Sequence, residues 1–258
     1  MFWEDVDPIA TPRLERAVAG AYDVFSAYRL RGTIVHCSCP VCMTDEIAQA
    51  LSNLPLKNIP SDMLAEYTNS AHGYDKKDIE REFKHFLPRY LDLIAACDPP
   101  CNLGLETCLS RLREAAYRER WPAPEVAAVD EVFDAFVEAS VGQLGLIEWP
   151  VGLRLEFDMT EVITMVVQAG GDLDRVLGVL DTGSDPAAAI HMASMRADVL
   201  RSGSGYRLEQ AFLDEFPLAA ATIGGWLMRD SVSRRIETAI VTVDDEDYDD
   251  VLALGMDT

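Results

Sequence analysis

The chain lacks several patterns that would assign it to a class of protein directly. None of its apolar runs approaches the roughly 20 residues that a membrane-spanning helix requires. Its first residues, MFWEDVD, have neither a basic start nor an apolar run, so we expect no signal peptide. The sequence also contains no complete catalytic motif. We therefore expect a cytoplasmic protein, in which thiols stay reduced.

Lysine is absent after Lys84, and basic residues in general become scarce along the chain. Residues 1–121 contain 18 acidic residues against 14 Lys or Arg, a difference of -4, whereas residues 122–258 contain 26 against 8, a difference of -18. The negative electrostatic field of such a charge excess repels nucleic acid and anionic membranes and attracts a basic protein partner. Simple solubility, or adaptation to a salt-rich host, is the alternative interpretation.

The composition is that of a folded protein. Hydrophobic residues make up 49% of the 258 residues and charged residues 26%, proportions typical of globular chains. The most acidic stretch, residues 244–250, is expected to be a solvated face or a frayed tail. It lacks the glycine turn and the closing glutamate of a calcium-binding loop.

Helical signals dominate the chain. Thr11 and Pro12 are an N-cap and a first-turn proline, Thr44 and Ser61 begin two short helices, and Asp75 precedes a longer helix that contains Pro88. Apolar residues recur at three- to four-residue spacing in each segment. Further helices are predicted at about 104–119, 124–143, 159–169, 172–180, 185–200, 207–214, 217–228 and 230–240.

No convincing hairpin is recognised, and the only weak strand candidates are residues 153–157 and 238–243. The predicted fold class is all-α, a multi-helix bundle or an irregular helical array. Glycines and Trp149-Pro150 interrupt the helical pattern between Gly145 and Gly152. Trp121-Pro122-Ala123-Pro124 also interrupts the pattern and is the alternative boundary. We prefer the later one, which separates a helical lobe of residues 1–146 with the cysteine cluster from an acidic helical lobe of residues 147–258.

Three of the six cysteines and a histidine lie within the seven residues HCSCPVC, from His36 to Cys42. The two-residue gap between Cys39 and Cys42 allows both thiolates to reach one tetrahedral ion, and Cys37 supplies a third ligand from the same loop. A zinc site is therefore predicted. The fourth ligand is left open among His36, His85, Cys97 and Cys101.

Three other interpretations of the cluster also remain open. An iron–sulfur cluster would need four thiolates, one more than the loop supplies. Cys39 and Cys42 resemble a redox dithiol in front of a helix, although no βαβ unit is predicted. Alternatively, the cysteines pack as small apolar residues without chemistry. Glu82 and His85 share one helical face, as in di-iron bundles, but the second copy of that pair is missing.

Two further motifs are assigned to connections. Asp181-Thr182-Gly183-Ser184 spells an aspartic-protease motif, but between predicted helices it is interpreted as a helix end, a turn and the next N-cap. Ser202-Gly203-Ser204-Gly205 lacks the lysine and the spacing of a phosphate-binding loop and is interpreted as a flexible connector. Neither motif is taken as a catalytic site.

The order of the cysteine cluster, Pro55-Leu56, Tyr67 and the stretch FKHFLPRYL, residues 83–91, resembles a group of uncharacterised bacterial proteins. The resemblance covers about residues 20–120. It implies a bacterial, helical, cytoplasmic protein and implies no activity. No functional residues are transferred from it.

The sequence thus favours a non-enzymatic helical protein with a structural zinc site and an acidic lobe that binds a basic protein, in a regulatory or toxin-neutralising role. No catalytic residue is assigned, and neither nucleic acid nor membrane is expected as a partner. The alternatives are a metal-dependent enzyme that uses the cluster with Glu82 and His85, and a dithiol redox protein.

Overall fold

A computed structural model describes residues 6–7, 9–32, 34, 36–37, 39, 42–70, 76–150 and 152–256, with the backbone alone for residues 76–79. Asp75, which precedes the predicted longer helix, lies outside the described residues, as do Ser38, Pro40 and Val41 of the cysteine loop. The structure is 63% helical, and its only described sheets are two two-stranded hairpins. The prediction of a mostly helical array is confirmed.

The chain divides into two compact units, one made of residues 2–136 and 168–171 and one made of residues 1, 137–167 and 172–258. We call them the N-terminal unit and the C-terminal unit. The helices up to the division are α1 (Pro12–Val24), α2 (Asp45–Asn53), α3 (Ser61–Asn69), α4 (Lys76–Ala95), α5 (Ser110–Glu114), α6 (Tyr117–Arg120) and α7 (Ala123–Ser140), the last of which extends past residue 136. Short 3₁₀ turns occupy Leu56–Asn58 and Leu105–Thr107.

The C-terminal unit contains both hairpins. Its elements are β1 (Leu146–Trp149), β2 (Gly152–Leu155), α8 (Met159–Ala169, whose last two residues are assigned to the N-terminal unit), α9 (Leu173–Thr182), α10 (Ala187–Arg196), β3 (Val199–Ser202), β4 (Gly205–Leu208), α11 (Pro217–Leu227), α12 (Asp230–Thr242) and α13 (Asp249–Leu254). Further 3₁₀ turns occupy Ala211–Leu213 and Glu246–Tyr248.

Two helix starts in the N-terminal unit, those of α1 and α2, have their predicted caps. Thr11 Oγ1 accepts a hydrogen bond from the Leu14 N–H, and Thr44 Oγ1 accepts one from the Ile47 N–H, so both hydroxyls satisfy a first-turn donor. α1 packs on α4. The core there is built mainly from aromatic and aliphatic side chains: Leu14, Ala21, Phe25, Leu64, Tyr67, Phe83, Phe86 and Tyr90.

The core of the C-terminal unit surrounds α10, in which eight residues are buried, including His191 and Arg196. A helix that is buried on nearly all its faces belongs to the centre of a unit. α12 and α13 pack against α10. Gly255, which follows α13, has no room for a side chain, because a Cβ there would lie 2.7 Å from the Cα of Ala193 on α10.

The helix predicted over residues 207–214 is wrong. β3 and β4 form an antiparallel hairpin in which Ser202 pairs with Gly205, so Gly203 and Ser204 are its two-residue loop rather than a flexible connector. Gly203 has φ +61°, as the tight turns of two-residue hairpins require. β4 packs directly on α11, since a Cβ on Gly224 would lie 2.6 Å from the Cα of Arg207.

Other boundaries also differ from the sequence prediction. The segment 104–119 is not one helix, because it is interrupted at Leu109 (φ -110°, ψ 14°) and at Ala116, which takes a left-handed backbone conformation (φ +49°). Residues 238–242 belong to α12 rather than to a strand, since Val232, Ile236 and Ala239 place the buried face of that segment at helical spacing. Residues 152–155, near one weak strand candidate, form β2, which pairs with β1.

The DTGS connection and the acidic stretch of residues 244–250 are both ordered in the structure. The Arg235 guanidinium donates to the carbonyl oxygens of Leu180 at 3.0 Å and Gly183 at 2.9 Å, and it pairs with Asp185 at 2.7 Å. These bonds satisfy carbonyls at the end of α9 and support the interpretation of the DTGS segment as a helix end and a turn. The acidic stretch forms a 3₁₀ turn and the start of α13, which buries Val251 and Leu252.

Candidate metal-binding loop

The cysteine loop enters α2 in the N-terminal unit and is attached to the end of α3. The Met43 side chain is buried, and the Met43 N–H donates to the Ser70 hydroxyl at 2.7 Å. Ser70 directly follows α3, where the Arg111 guanidinium donates to the Tyr67, Thr68 and Ser70 carbonyls at 3.0 to 3.2 Å. The loop therefore rests on a capped helix end.

The thiols of Cys37, Cys39 and Cys42 converge. Their sulfur atoms all lie within 4.8 Å of one another, and those of Cys39 and Cys42 are 3.2 Å apart. The backbone bends to allow this, since the Cys42 N–H donates to the Cys39 carbonyl and the Cys39 N–H contacts the Cys37 sulfur at 3.4 Å. All six cysteines of the chain are described, and each is a thiol rather than half of a disulfide.

This spacing fits a metal ion. Sulfur atoms bound tetrahedrally at about 2.3 Å from Zn²⁺ lie roughly 3.8 Å from each other. The Cys39–Cys42 separation of 3.2 Å is somewhat below that value, and the separations that involve Cys37 are at most 4.8 Å, so small movements would bring the three sulfurs to it. The donor set is three soft thiolates, the kind that zinc and other thiophilic cations prefer over hard cations such as Mg²⁺. The cluster has the geometry to hold a metal ion.

The imidazole of His36 is engaged outside the thiol cluster. Its Nδ1 lies 3.0 Å from the Cys37 carbonyl, and its Nε2 lies 3.2 Å from the Asp45 carboxylate. Both neighbours are acceptors, so a coordinating His36 would have to give up one of these contacts. Within the described part of the chain, no other His, Cys, Asp or Glu ligand atom lies within 4.8 Å of all three sulfurs.

The other predicted ligands lie elsewhere. His85 on α4 has its Nδ1 3.1 Å from the Tyr28 carbonyl, its ring packs on Phe86, and burial lowers its pKa. Cys97 is buried, and burial raises the pKa of its thiol to about 11. The structure brings together three of the seven predicted site residues and places His36, His85, Cys97 and Cys101 in other contacts.

Cys101 has polar neighbours that its position in the sequence did not indicate. Its sulfur lies 3.2 Å from the Thr107 hydroxyl and 3.7 Å from the Asn69 side-chain oxygen. Hydrogen bonding, chiefly with the Cys108 thiol, lowers the pKa of Cys101. The anchors Ser70 and Arg111 were also missed, because a polar residue after a helix and an arginine inside one carry no distinctive signal.

Comparison with known proteins adds no functional assignment. No protein-family model matches the chain, no similar curated protein was found, and no solved structure matches its fold. The resemblance to a bacterial group around residues 83–91 therefore stays a prediction. No helix in the described ranges has the length and the apolar character needed to cross a bilayer.

Proposed function

We propose that this chain is a non-enzymatic metal-binding protein that holds one Zn²⁺ ion through the thiolates of Cys37, Cys39 and Cys42. The convergence of these three sulfurs within 4.8 Å carries the proposal. Because all three ligands belong to one loop and the loop is attached to α3 through Met43 and Ser70, the site needs little rearrangement to accept an ion.

The surroundings of the loop support thiolate ligands. α2 begins at Asp45, three residues after Cys42, and the N-terminal end of a helix carries a partial positive charge that favours nearby anions. Zinc sites with three protein ligands leave a fourth position for water or another exogenous ligand. His36 supplies the fourth ligand instead if its Nε2 leaves Asp45.

The catalytic alternative has less support. It requires His85 as a metal ligand with Glu82 as a base, whereas the His85 ring nitrogen faces the Tyr28 carbonyl. The dithiol alternative uses Cys39 and Cys42 alone, whose sulfurs lie 3.2 Å apart as two reduced thiols. A dithiol does not use Cys37, so the effect of replacing Cys37 separates it from a metal site.

Zinc titration of the reduced full-length chain tests the proposal. We expect one Zn²⁺ to bind per chain with release of protons, because the ligand thiols must lose theirs. Cys37→Ser and Cys42→Ser are each expected to weaken binding by about 100-fold or more, beyond the roughly 10- to 100-fold cost of losing an outer-shell partner. Competition with a chromophoric chelator and calorimetry measure affinity and proton release.

Cys101→Ser is the matched control, since it removes a partly buried cysteine outside the cluster and should leave the zinc affinity unchanged. Substitution with Co²⁺ gives a second readout, because thiolate coordination produces charge-transfer bands that Cys42→Ser should weaken. Failure of the wild-type protein to bind Zn²⁺, or equal binding by Cys37→Ser, would contradict the proposal.

The acidic C-terminal unit supports a second element of the function, the binding of a basic protein. Around the turn Glu246–Tyr248 and the first residues of α13, six carboxylate side chains are exposed: those of Asp244, Asp245, Glu246, Asp247, Asp249 and Asp250. The stretch is held in place by the buried Val251 and Leu252, and the Asp250 carboxylate accepts a bond from the Leu153 N–H at 3.2 Å. The charges are thus presented on an ordered element.

A charge-matched comparison tests this second element. Neutralising Asp244, Asp245, Glu246 and Asp247 as amides is expected to weaken binding of a lysine-rich peptide about tenfold or more at low ionic strength, with the difference shrinking as salt is added. The control neutralises four exposed acids elsewhere, Asp174, Asp198, Asp214 and Glu215. Equal losses in both variants, measured by fluorescence anisotropy, would mean that only net charge matters.

A further inference from the structure

Two thiols of the metal-binding loop are in direct contact. The sulfurs of Cys39 and Cys42 lie 3.2 Å apart, while the Cys37 sulfur accepts a hydrogen bond from the Cys39 N–H at 3.4 Å. Cys39 is exposed, Cys42 is partly exposed, and both are reduced. A small reagent in solution can therefore reach a pair of thiols that already touch each other.

The backbone of the loop also brings the two cysteines close enough for a disulfide bond. The Cys42 N–H donates to the Cys39 carbonyl at 3.2 Å, which is the hydrogen bond from residue i+3 to residue i of a β-turn. Such a turn holds the Cα atoms of its first and last residues within about 7 Å of each other. Disulfide bonds join residues whose Cα atoms are about 4.4 to 6.8 Å apart. Joining Cys39 to Cys42 therefore requires only a small adjustment of the loop.

The same two sulfurs cannot bind a metal ion and form a disulfide at once. A zinc ligand is a thiolate, whereas each sulfur of a disulfide has lost its negative charge in forming the S–S bond. Oxidation of Cys39 and Cys42 would leave Cys37 as the one remaining thiolate of the group. A single thiolate holds Zn²⁺ far more weakly than three do, so metal binding and oxidation are competing states of the loop.

We propose that the loop is a redox-controlled metal site, in which oxidation of Cys39 and Cys42 to a disulfide releases the bound ion. This inference rests on the proposed zinc site and adds its regulation. The oxidant is a low-molecular-weight disulfide, RSSR, and the two thiols of the loop are the reductant. Cys37 binds the metal ion but takes no part in the S–S bond.

The oxidation proceeds by two thiol–disulfide exchanges. The thiolate of Cys39, the more exposed of the two, attacks one sulfur of RSSR, so that a mixed disulfide forms and RS⁻ leaves. The Cys42 thiolate then attacks the Cys39 sulfur; the Cys39–Cys42 bond forms, the mixed S–S bond breaks, and a second RS⁻ leaves. Two electrons pass from the loop to RSSR, and the ion loses two of its three thiolate ligands. The second exchange joins sulfurs that are already in contact, so it is fast relative to the first.

Treatment of the reduced, zinc-loaded full-length chain with oxidised glutathione tests the proposal. A chromophoric chelator records the release of Zn²⁺, and a parallel sample without glutathione gives the background release. Samples taken during the reaction are alkylated and digested with trypsin, which leaves all three cysteines of the loop in one peptide, residues 32–57. As one Zn²⁺ is released per chain, we expect this peptide to lose two hydrogens and to carry a single alkyl group, on Cys37.

The affinity of the oxidised chain for Zn²⁺ gives the size of the effect. It should be about 1,000-fold or more below that of the reduced chain, because two ligands are lost and each outweighs the roughly 10- to 100-fold contribution of an outer-shell partner. A dithiol reductant should restore the original affinity, since it reverses both exchanges.

Two variants separate the roles of the cysteines. Cys37→Ser removes a metal ligand but neither sulfur of the disulfide, so its metal-free form should produce the Cys39–Cys42 bond within about twofold of the rate of the metal-free wild type. Cys42→Ser lacks the second attacking sulfur and should accumulate glutathione on Cys39 as a mixed disulfide, which mass spectrometry detects.

The results distinguish this inference from the zinc site on which it rests. If the reduced wild-type chain binds no Zn²⁺, the proposed function fails and the inference fails with it. If the reduced chain binds Zn²⁺ but glutathione releases none of it, only the inference is overturned. The inference alone is likewise overturned if the disulfide forms while the ion is retained, or if the bond joins Cys37 to either of the other two cysteines.

Discussion

Replacing Lys84 with methionine is expected to lower the free energy of unfolding by about 3–5 kcal/mol, because it leaves a carboxylate buried without its counter-charge. Lys84 and Glu125 are 5% and 7% exposed, and their charged groups are 2.8 Å apart. The ammonium also lies 3.3 Å from Glu80 and 4.2 Å from the centre of the Trp121 ring. The Tyr28 hydroxyl donates to Glu125 at 2.6 Å.

The charge state of the Lys84 amine supports the size of the destabilisation expected for Lys84→Met. Burial by itself lowers the pKa of Lys84, but Glu125 and Tyr28 raise it by more, so its pKa lies above its usual value and the amine is charged. Methionine has a similar volume and no charge, so the substitution chiefly removes the ion pair. Urea denaturation followed by circular dichroism measures the change, provided that the dependence on urea concentration is the same in both proteins.

Two variants check the explanation. Adding Glu125→Leu to Lys84→Met should recover most of the lost stability, because a buried ion pair replaced by apolar side chains is often neutral. Lys57→Met, at an exposed lysine, should stay within about 0.5 kcal/mol of wild type. A loss below about 1 kcal/mol for Lys84→Met, or no recovery in the double variant, would refute the account.

Acid is expected to destabilise the protein through His191 by about 2 kcal/mol between pH 7.5 and pH 5. His191 on α10 is fully buried, and neither ring nitrogen has a hydrogen-bond partner of good geometry among the described residues. Burial lowers its pKa from 6.5 to about 4, against a smaller opposing effect of the Val141, Ser140 and Gln143 backbone. Its ring packs edge-on against Phe157.

Acid lowers the stability because the unfolded chain takes up a proton on His191 at a higher pH than the folded protein does. Below pH 6.5 the unfolded chain protonates this imidazole, whereas the folded protein does so only near pH 4. The contribution of His191 to the free energy of unfolding is therefore fully present above pH 6.5 and is lost as the pH falls toward 4. The total loss near pH 4 is about 3 kcal/mol. Stopping the titration at pH 5 avoids the isoelectric point near 4.4.

His191→Leu isolates the contribution. Carboxylates and His85 titrate in both proteins, so the difference between the wild-type and variant unfolding free energies at each pH reports His191 alone. We expect that difference to be constant above about pH 7 and to shift by about 2 kcal/mol in favour of the variant by pH 5. Parallel curves for the two proteins across this range would show that His191 does not have the lowered pKa.

Prediction from the sequence succeeded where the signal is local. The starts of α1 and α2 follow from Thr11 and Thr44, whose hydroxyls bond to N–H groups three residues later. The hairpin of β3 and β4 was missed because each strand has only four residues, and its turn, Gly203-Ser204, has the same composition as a flexible connector. Residues 238–242 are β-branched in part, and helical packing of α12 overrides that preference.

The cysteine positions also divide into those that local sequence predicts and those that depend on how the chain packs. Cys37, Cys39 and Cys42 are so close in sequence that almost any bend of the loop brings them together, and they were predicted as one group. The positions of His85, Cys97 and Cys101 depend on how α4 and the following loop pack, which their spacing does not encode. The contacts of the Cys101 sulfur, with the Thr107 hydroxyl at 3.2 Å and the Asn69 side-chain oxygen at 3.7 Å, likewise depend on how the chain folds back, which a sequence pattern does not reveal.

The absence of a side chain at Gly224 sets how closely β4 and α11 approach each other. A Cβ at residue 224 would lie 2.6 to 2.7 Å from backbone atoms of Arg207, so any larger residue would separate the strand from the helix. Each strand of the hairpin has only four residues, and its packing on α11 adds contacts that the hairpin alone does not have. A substitution at residue 224 would therefore loosen the hairpin, although the residue itself belongs to a helix.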